Sequence, residues 1–163
     1  MQMIDAQSEE AGGPAMSKFE VLTAMAYAAF AEAPVDVAVV EVGLGGRWDA
    51  TNVIDGQVAV ITRSARSRRV PGTDLAGIAE EKAGIIKKGR EDLVPVDTVA
   101  IIAEQTPEVM EVLLRRAVEV EAAVAREGSE FKVLARQIAV GGQQLELQGL
   151  SGVYTDIFLP PSR

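Results

Sequence analysis

The stretch VDVAVVEVGLGGRWDATN (residues 35–52) predicts a buried β-strand that runs directly into a glycine-rich loop. Residues 35–42 are mostly valine, and the run is short and bounded by Pro34 and Gly43. A valine-rich run of this kind is typical of a strand in a parallel sheet, because such a strand buries both of its faces. We therefore expect residues 35–42 to pair in parallel with the next apolar run, residues 58–62.

The sequence before this stretch predicts a helix. Ser17 can cap its N-terminus, and Glu20 stands three residues later, in the position of a capping box. Apolar residues recur at helical spacing from Phe19 to Ala33, and Pro34 ends the pattern.

The sequence after the loop continues the alternation of strands and helices and then changes period. A short helix is predicted from about residue 75 to Lys82, a third apolar strand over residues 99–103, and a long helix from Pro107 to about Arg126. From residue 131 onward the period is two, which predicts a hairpin of residues 133–140 and 144–148 and a last strand over 154–159. The chain is therefore predicted to be an α/β domain with a mainly parallel sheet and a C-terminal antiparallel hairpin region.

Composition excludes several classes of function. The 163 residues include no cysteine and no histidine, which removes thiolate chemistry, disulfides and the commonest general base. A net charge of -8 and an aromatic content of 4% oppose binding to nucleic acid or to an anionic membrane. The N-terminus has acidic residues where a signal peptide needs basic and then apolar ones, so a cytoplasmic chain is expected.

Three features are candidates for chemistry, and each has a plainer interpretation. Glu41 ends the predicted strand, where ligands bind in open α/β sheets, and it can hold a metal ion or simply face solvent. The loop of residues 43–52 lacks the spacing of a phosphate-binding loop, so it is either a polar site or an ordinary turn. Lys82 stands in an acidic helical run and is otherwise an ordinary solvated residue.

Two charged groups have a weaker claim to function. RSARSRRVPG (residues 63–72) holds four of the 16 basic residues, and we interpret it as a loop rather than an anion-binding site. The acidic group Glu119, Glu121 and Glu127 is interpreted as the solvated face of the long helix.

Three strings together resemble one family. They are SKFEVLTAMAYAAF (17–30), VAVVEVGLGGRWDATNV (37–53) and IAEEKAGIIKKG (78–89), in that order. In this combination they look like the central part of the folylpolyglutamate synthase/dihydrofolate synthase family, within the Mur-ligase-like group. The remaining sequence is similar to that of actinobacterial members. The resemblance covers roughly residues 2–62 and 73–159.

The resemblance implies an ATP-dependent amide ligase, usually monomeric. Such an enzyme phosphorylates a carboxylate of dihydropteroate or folylpolyglutamate, and L-glutamate then attacks the acyl phosphate, with Mg²⁺ offsetting charge on the phosphoryl group. By resemblance, Glu41 is a magnesium ligand, and Lys82 is a lysine that becomes carbamylated near a second metal ion. Four further residues match positions that line the family's pterin site: Ser17, Phe19, Asp49 and Ala50.

The departures from the family pattern imply an incomplete enzyme. No glycine-rich ATP loop (P-loop) precedes Ser17, the family's histidine metal ligand has no counterpart in residues 63–72, and no C-terminal ligase domain follows. We therefore expect residues 1–159 to be a partial central, ATP-binding domain of the P-loop Mur-ligase type, and 160–163 to be an aberrant tail. One hypothesis is that residues 63–72 and the tail are read out of frame, which the DNA in the other two frames tests.

Three functions stay open on the sequence alone. The chain can be a part of a folate-pathway ligase that is inactive by itself, a noncatalytic pterin-binding module, or a part of a related Mur-type ligase. The filled pterin-site positions favour the folate branch over the third alternative.

Overall fold

The computed structural model describes residues 15–33, 35–64, 74–89 and 98–161, in two compact units, Met1–Ile54 and Asp55–Arg163. The basic stretch RSARSRRVPG lies mostly outside the described residues, and so does the end of the tail. No helix in the described ranges is long and apolar enough to cross a membrane.

The first unit is built on helix α1, Lys18–Glu32, which begins as the sequence predicts. Ser17 Oγ accepts a hydrogen bond from the Glu20 amide at 3.3 Å, and a Glu20 carboxylate oxygen accepts one from the Ser17 amide at 2.6 Å. This reciprocal capping box satisfies two amides that have no partner within the helix. A short 3₁₀ helix, η1, follows at Ala50–Val53.

The second unit contains a three-stranded parallel sheet in the order β1-β2-β3. Its strands are β1, Val58–Ile61, β2, Val99–Ile102, and β3, Ala123–Arg126, and they are connected through helices α2, Leu75–Ala83, and α3, Pro107–Glu119. Alternate strand residues face the helices, so that Ile61 and Ile102 are buried against Leu113 and the rest of the core. The sheet and the two helices thus share one hydrophobic core.

The same unit contains an antiparallel sheet of three strands, which confirms the predicted hairpin and last strand. Its strands are β4, Lys132–Ala139, β5, Gly142–Gln148, and β6, Val153–Leu159. The tight turn between β4 and β5 uses Gly141, whose φ of 76° is unfavourable for residues with a side chain. The α/β fold class, with a parallel sheet and an antiparallel region, is therefore confirmed.

Residues 35–42 do not form the predicted strand. None of them is paired in either sheet of the described chain, and the parallel neighbour of β1 is β2. Val37 and Val39 are accordingly 79% and 92% exposed. Valine content measures how well a segment fits a buried sheet, but a strand also needs a hydrogen-bonding neighbour, which propensity does not supply.

The predicted long helix is wrong at its C-terminal end. Helix α3 ends at Glu119, and Glu121 takes a φ of 58°, so the chain reverses there and enters β3. Of the three acidic residues assigned to one helical face, only Glu119 lies in the helix. The apolar residues of Ala123–Arg126 also fit the helical spacing. The segment is nevertheless a strand, because it forms backbone hydrogen bonds with β2.

Glu130 stabilises the turn that joins β3 to β4. Its carboxylate accepts hydrogen bonds from the Arg126 amide at 2.7 Å and from Ser129 Oγ at 2.9 Å, and it pairs with the Arg126 guanidinium. These bonds, with the one from the Arg126 amide first, lower the pKa of Glu130 from 4.5 to about 2.

We expect Glu130→Gln to lower the free energy of unfolding at neutral pH. Because the folded-state pKa is depressed, the stabilisation is fully present above pH 4.5 and is lost as the pH falls towards about 2. Urea unfolding over this pH range should show the two proteins converging at the acid end. Glu111→Gln, at an exposed position of α3, controls for the loss of a carboxylate. A difference between Glu130→Gln and the parent that does not change with pH would contradict this account.

Candidate functional site

The loop of residues 43–52 is organised around the carboxylate of Asp49. Oδ2 accepts a hydrogen bond from the Leu44 amide at 2.9 Å, while Oδ1 accepts bonds from the Thr51 amide at 3.0 Å and from Thr51 Oγ1 at 2.6 Å. Asp49 is therefore the N-cap of η1 and also closes the loop back onto Leu44. Gly45, with a φ of 73°, permits the tight turn between these two contacts.

The hydrogen bonds keep Asp49 ionised. Partial burial by itself opposes the charged form, but the Thr51 hydroxyl and the amides of Thr51, Leu44 and Gly43 outweigh it and lower the pKa of Asp49. The site therefore presents a fixed carboxylate at neutral pH. Such a group accepts hydrogen bonds from the N–H groups of a ligand.

An aromatic ring lies beside this carboxylate, with only Gly43 between them. A methyl group on the Gly43 Cα would come within 2.8 Å of Phe19 Cζ and 3.2 Å of Asp49 Oδ2. Phe19 belongs to the first turn of α1 and is 44% exposed, so that part of the ring is open to solvent. The absence of a side chain at Gly43 lets the ring and the carboxylate approach the same backbone position.

Helix α1 is tied to η1 by a tyrosine. Tyr27 Oη donates a hydrogen bond to the Thr51 carbonyl at 2.7 Å, and Thr51 is buried. The hydroxyl of a tyrosine is protonated at neutral pH and is a donor, and burial, with the negative charge of Asp49 second, raises the pKa of Tyr27 further. The chain of contacts Tyr27–Thr51–Asp49 therefore joins the helix to the carboxylate.

Within this unit the structure brings together three of the four residues that match the pterin site. Phe19 and Asp49 flank Gly43, and Ala50 follows Asp49 as the first residue of η1. Ser17 caps the helix that carries Phe19, and its Oγ is already used in the capping box. Their contact with a pterin stays a prediction.

Glu41 and Lys82 lie in different units. Glu41 is exposed in the unpaired segment 35–42, so it does not end a strand as the sequence suggested. Lys82 is half-buried in the last turn of α2, where a basic side chain also interacts favourably with the helix dipole. No group of three or more acidic residues that could hold a metal ion occurs in the described ranges. The convergence of Glu41, Lys82 and the loop stays a prediction.

Two features of this site are missing from the sequence-based prediction. Tyr27 stands eight residues after Phe19, which places both on one side of α1, and this spacing was the available signal. The role of Gly43 had no signal beyond the residue itself, because the approach of Phe19 and Asp49 to the same backbone position depends on how the loop folds.

We expect Gly43→Ala to disturb the loop, because the new methyl group would overlap Phe19. The ring or the carboxylate must shift, which should destabilise the contact by about 1 kcal/mol. The Leu44 amide, which donates to Asp49, should then exchange with solvent roughly fivefold faster. Gly56→Ala is the matched control, because its methyl group meets only the Val58 carbonyl at 3.7 Å. Equal Leu44 exchange in both variants would contradict the proposed crowding.

Comparison with known proteins identifies close relatives, although no family model matches the chain. The dihydrofolate synthase/folylpolyglutamate synthase of Mycobacterium tuberculosis is 65% identical over 162 residues, which are 97% of this chain and 33% of that protein. The chain spans about a third of the length of the curated relatives it matches.

Solved structures agree with this comparison. The Mycobacterium tuberculosis folylpolyglutamate synthase complexed with ADP matches with a TM-score of 0.87 and 65% identity, over 98% of this chain and 34% of that one. A folylpolyglutamate synthase in complex with AMPPCP and folate matches with a TM-score of 0.82 and 28% identity, over 96% of this chain and 37% of that one. The chain is thus homologous to a part of these enzymes.

Proposed function

We propose that the chain provides part of the folate-binding side of a folylpolyglutamate or dihydrofolate synthase, because it is homologous to these enzymes over nearly its whole length. The ligase adds L-glutamate to dihydropteroate or folylpolyglutamate with hydrolysis of ATP. Residues 1–159 form part of its central, ATP-binding domain in this proposal. The acidic, cysteine-free sequence fits a cytoplasmic enzyme.

The observation that carries the proposal is the pairing of Phe19 with Asp49 across Gly43. A pterin is a flat heteroaromatic ring with a row of N–H donors along one edge. An exposed phenyl ring suits stacking on its face, and an ionised carboxylate suits its donor edge. The two groups stand close enough to contact one ring at the same time.

A nucleotide enters the proposal through the relatives, whose structures contain ADP or AMPPCP, and Mg²⁺ enters through the resemblance of the sequence to the family. Glu41 is an exposed carboxylate, and a single carboxylate fits Mg²⁺, which usually takes its other ligands from water and phosphate oxygens. When bound, the ion offsets negative charge on the phosphates. In the same proposal Lys82 is the candidate for carbamylation, which converts a cation into an anionic metal ligand.

The chemistry requires two steps on the substrate carboxylate. A carboxylate is a poor acyl donor, so the γ-phosphoryl group of ATP is transferred to it, with release of ADP. The amine of L-glutamate then attacks the acyl carbon, and inorganic phosphate leaves as the amide bond forms. Phe19 and Asp49 take no part in bond making, since their proposed role is to hold the pterin end of the substrate.

The test is a calorimetric titration of the chain with 7,8-dihydropteroate. We expect saturable binding, and we expect Asp49→Ala to weaken it at least tenfold, because a charge-assisted hydrogen bond contributes about 1.5–3 kcal/mol. Asp74→Ala is the matched control, since Asp74 also caps a helix by accepting a backbone N–H, from Gly77 at 2.7 Å. An affinity unaffected by Asp49→Ala would overturn the assignment of the site.

The same titration with ATP separates the remaining candidates. Binding of dihydropteroate without ATP favours a noncatalytic pterin-binding module, for which the Phe19–Asp49 pair is the supporting observation. Binding of neither ligand would refute the proposed pterin site and leave the chain as a plain remnant of a ligase. A Mur-type ligase acting on another precursor is favoured only if dihydropteroate fails to bind.

A further inference from the structure

We propose that Tyr27 and Thr51 are positioning residues, which hold the Asp49 carboxylate in the orientation that receives the donor edge of a pterin-like heterocycle. This inference rests on the proposed function of Phe19 and Asp49. Neither Tyr27 nor Thr51 would touch the ligand in this account, because both act through Asp49.

The hydrogen bonds of Asp49 orient its carboxylate. Oδ1 accepts two hydrogen bonds from Thr51, one from its amide and one from its hydroxyl. An ionised carboxylate oxygen accepts about two such bonds, so Oδ1 is fully used within the loop. A donor on a ligand is thereby directed to Oδ2, which accepts a hydrogen bond from the Leu44 amide at 2.9 Å and lies beside Gly43 and the Phe19 ring.

Thr51 is in turn anchored to helix α1. Its backbone belongs to η1, a single short turn that gains little rigidity from its own hydrogen bonds. Tyr27 supplies the missing support, since its hydroxyl holds the Thr51 carbonyl at 2.7 Å from the third turn of α1. Phe19 lies at the start of the same helix, so α1 sets the ring and the carboxylate relative to each other.

The hydroxyls of Tyr27 and Thr51 both act as hydrogen-bond donors in this arrangement. A tyrosine hydroxyl is protonated at neutral pH, and partial burial, with the nearby Asp49 charge second, raises the pKa of Tyr27 further. Tyr27 thus remains a hydrogen-bond donor throughout the neutral range. Thr51 is buried, which limits the competition of water for its hydroxyl and stabilises its bond to Asp49.

The experiment compares dihydropteroate affinities of variants that remove one hydroxyl each. We expect Tyr27→Phe and Thr51→Val to raise the dissociation constant roughly three- to tenfold, which corresponds to the loss of one net hydrogen bond. Thr51→Ser keeps the hydroxyl and should restore the affinity to within about twofold of the parent. If Thr51→Ser binds as weakly as Thr51→Val, the hydroxyl is not the determinant and the inference fails.

The chain offers matched controls for both substitutions. Tyr154→Phe removes the hydroxyl of the second of the two tyrosines, on β6. Thr98→Val removes a buried hydroxyl that donates to the Lys87 carbonyl at 2.8 Å, so it lowers stability without altering the loop. We expect both controls to bind dihydropteroate as the parent does.

A double-mutant cycle separates positioning from general support of the fold. In an Asp49→Ala background, Tyr27→Phe and Thr51→Val should cause no further loss of affinity, because the group through which they act is gone. Losses of equal size in both backgrounds would show that the two residues support the unit as a whole, and would overturn the inference.

A second readout needs no ligand. If Asp49 reorients, the Leu44 amide loses its acceptor, so its exchange with solvent should accelerate in Tyr27→Phe and in Thr51→Val. Failure of the parent chain to bind dihydropteroate would refute the proposed function, and Leu44 exchange would then decide the positioning. Unchanged Leu44 exchange in both variants would refute it independently of any ligand.

Discussion

A polypeptide of these 163 residues, supplied with ATP, L-glutamate and dihydropteroate, is expected to release phosphate no faster than the uncatalysed background. The 163 residues contain no G-x-x-x-x-G-K-S/T loop to cradle phosphates and no histidine to act as a metal ligand. Each lost electrostatic element of a phosphoryl-transfer site costs roughly a hundredfold to a thousandfold in rate. Without a phosphate-binding loop the nucleotide is also not held in line with its acceptor, which removes the advantage of positioning.

The measurement is a coupled phosphate assay with and without glutamate, repeated with tetrahydrofolate as the acceptor. The Mycobacterium tuberculosis folylpolyglutamate synthase, of which this chain matches about a third, serves as the positive control. Saturable, glutamate-dependent phosphate release by the 163-residue chain would contradict the prediction. It would also show that the chain holds a nucleotide by residues other than those of a phosphate-binding loop.

Leu113→Ala is expected to lower the free energy of unfolding of the parallel-sheet unit by about 3 kcal/mol. Leu113 is 0% exposed on α3 and packs in the core formed with β1 and β2, so the substitution removes buried methyl groups and leaves a cavity. A loss of this size is a large share of the roughly 5–15 kcal/mol that stabilises an ordinary domain. Urea unfolding followed by circular dichroism measures it.

Val118→Ala is the control for this substitution. Val118 lies on the same helix but is 78% exposed, so its truncation opens no cavity, and alanine is the better helix former. We expect the control to be neutral or slightly stabilising. If both variants lose the same stability, the core of this unit is not organised around Leu113.

Local signals in the sequence were reliable where neighbouring residues alone decide the structure. The Ser17–Glu20 capping box forms as predicted, because both of its hydrogen bonds join groups three residues apart. The hairpin of β4 and β5 also forms, since two glycines join two segments of period two. In both cases the interacting groups are close in sequence, so the pattern itself contains the partners.

Predictions failed where a segment depends on a distant partner. Residues 35–42 have the composition of a buried strand, yet pairing within a sheet requires another strand at the right distance and register. Ala123–Arg126 fits the helical period that precedes it, yet β2 pairs with it as a strand. Periodicity describes which faces a segment can bury and does not identify the element that buries them.

The residues of the candidate site were predictable from the sequence, but their arrangement was not. The sequence by itself was enough to select Phe19 and Asp49 as candidates, because the motif around Asp49 and the string around Phe19 resemble a known family and supply a carboxylate and an aromatic ring. Only the tertiary structure decided that Phe19 and Asp49 both lie beside Gly43 and that the Tyr27 hydroxyl donates to the Thr51 carbonyl. The residues of each pair are 24 to 30 positions apart in sequence. Their distances are set by the packing of α1 against η1, and no local pattern of residues encodes such a distance.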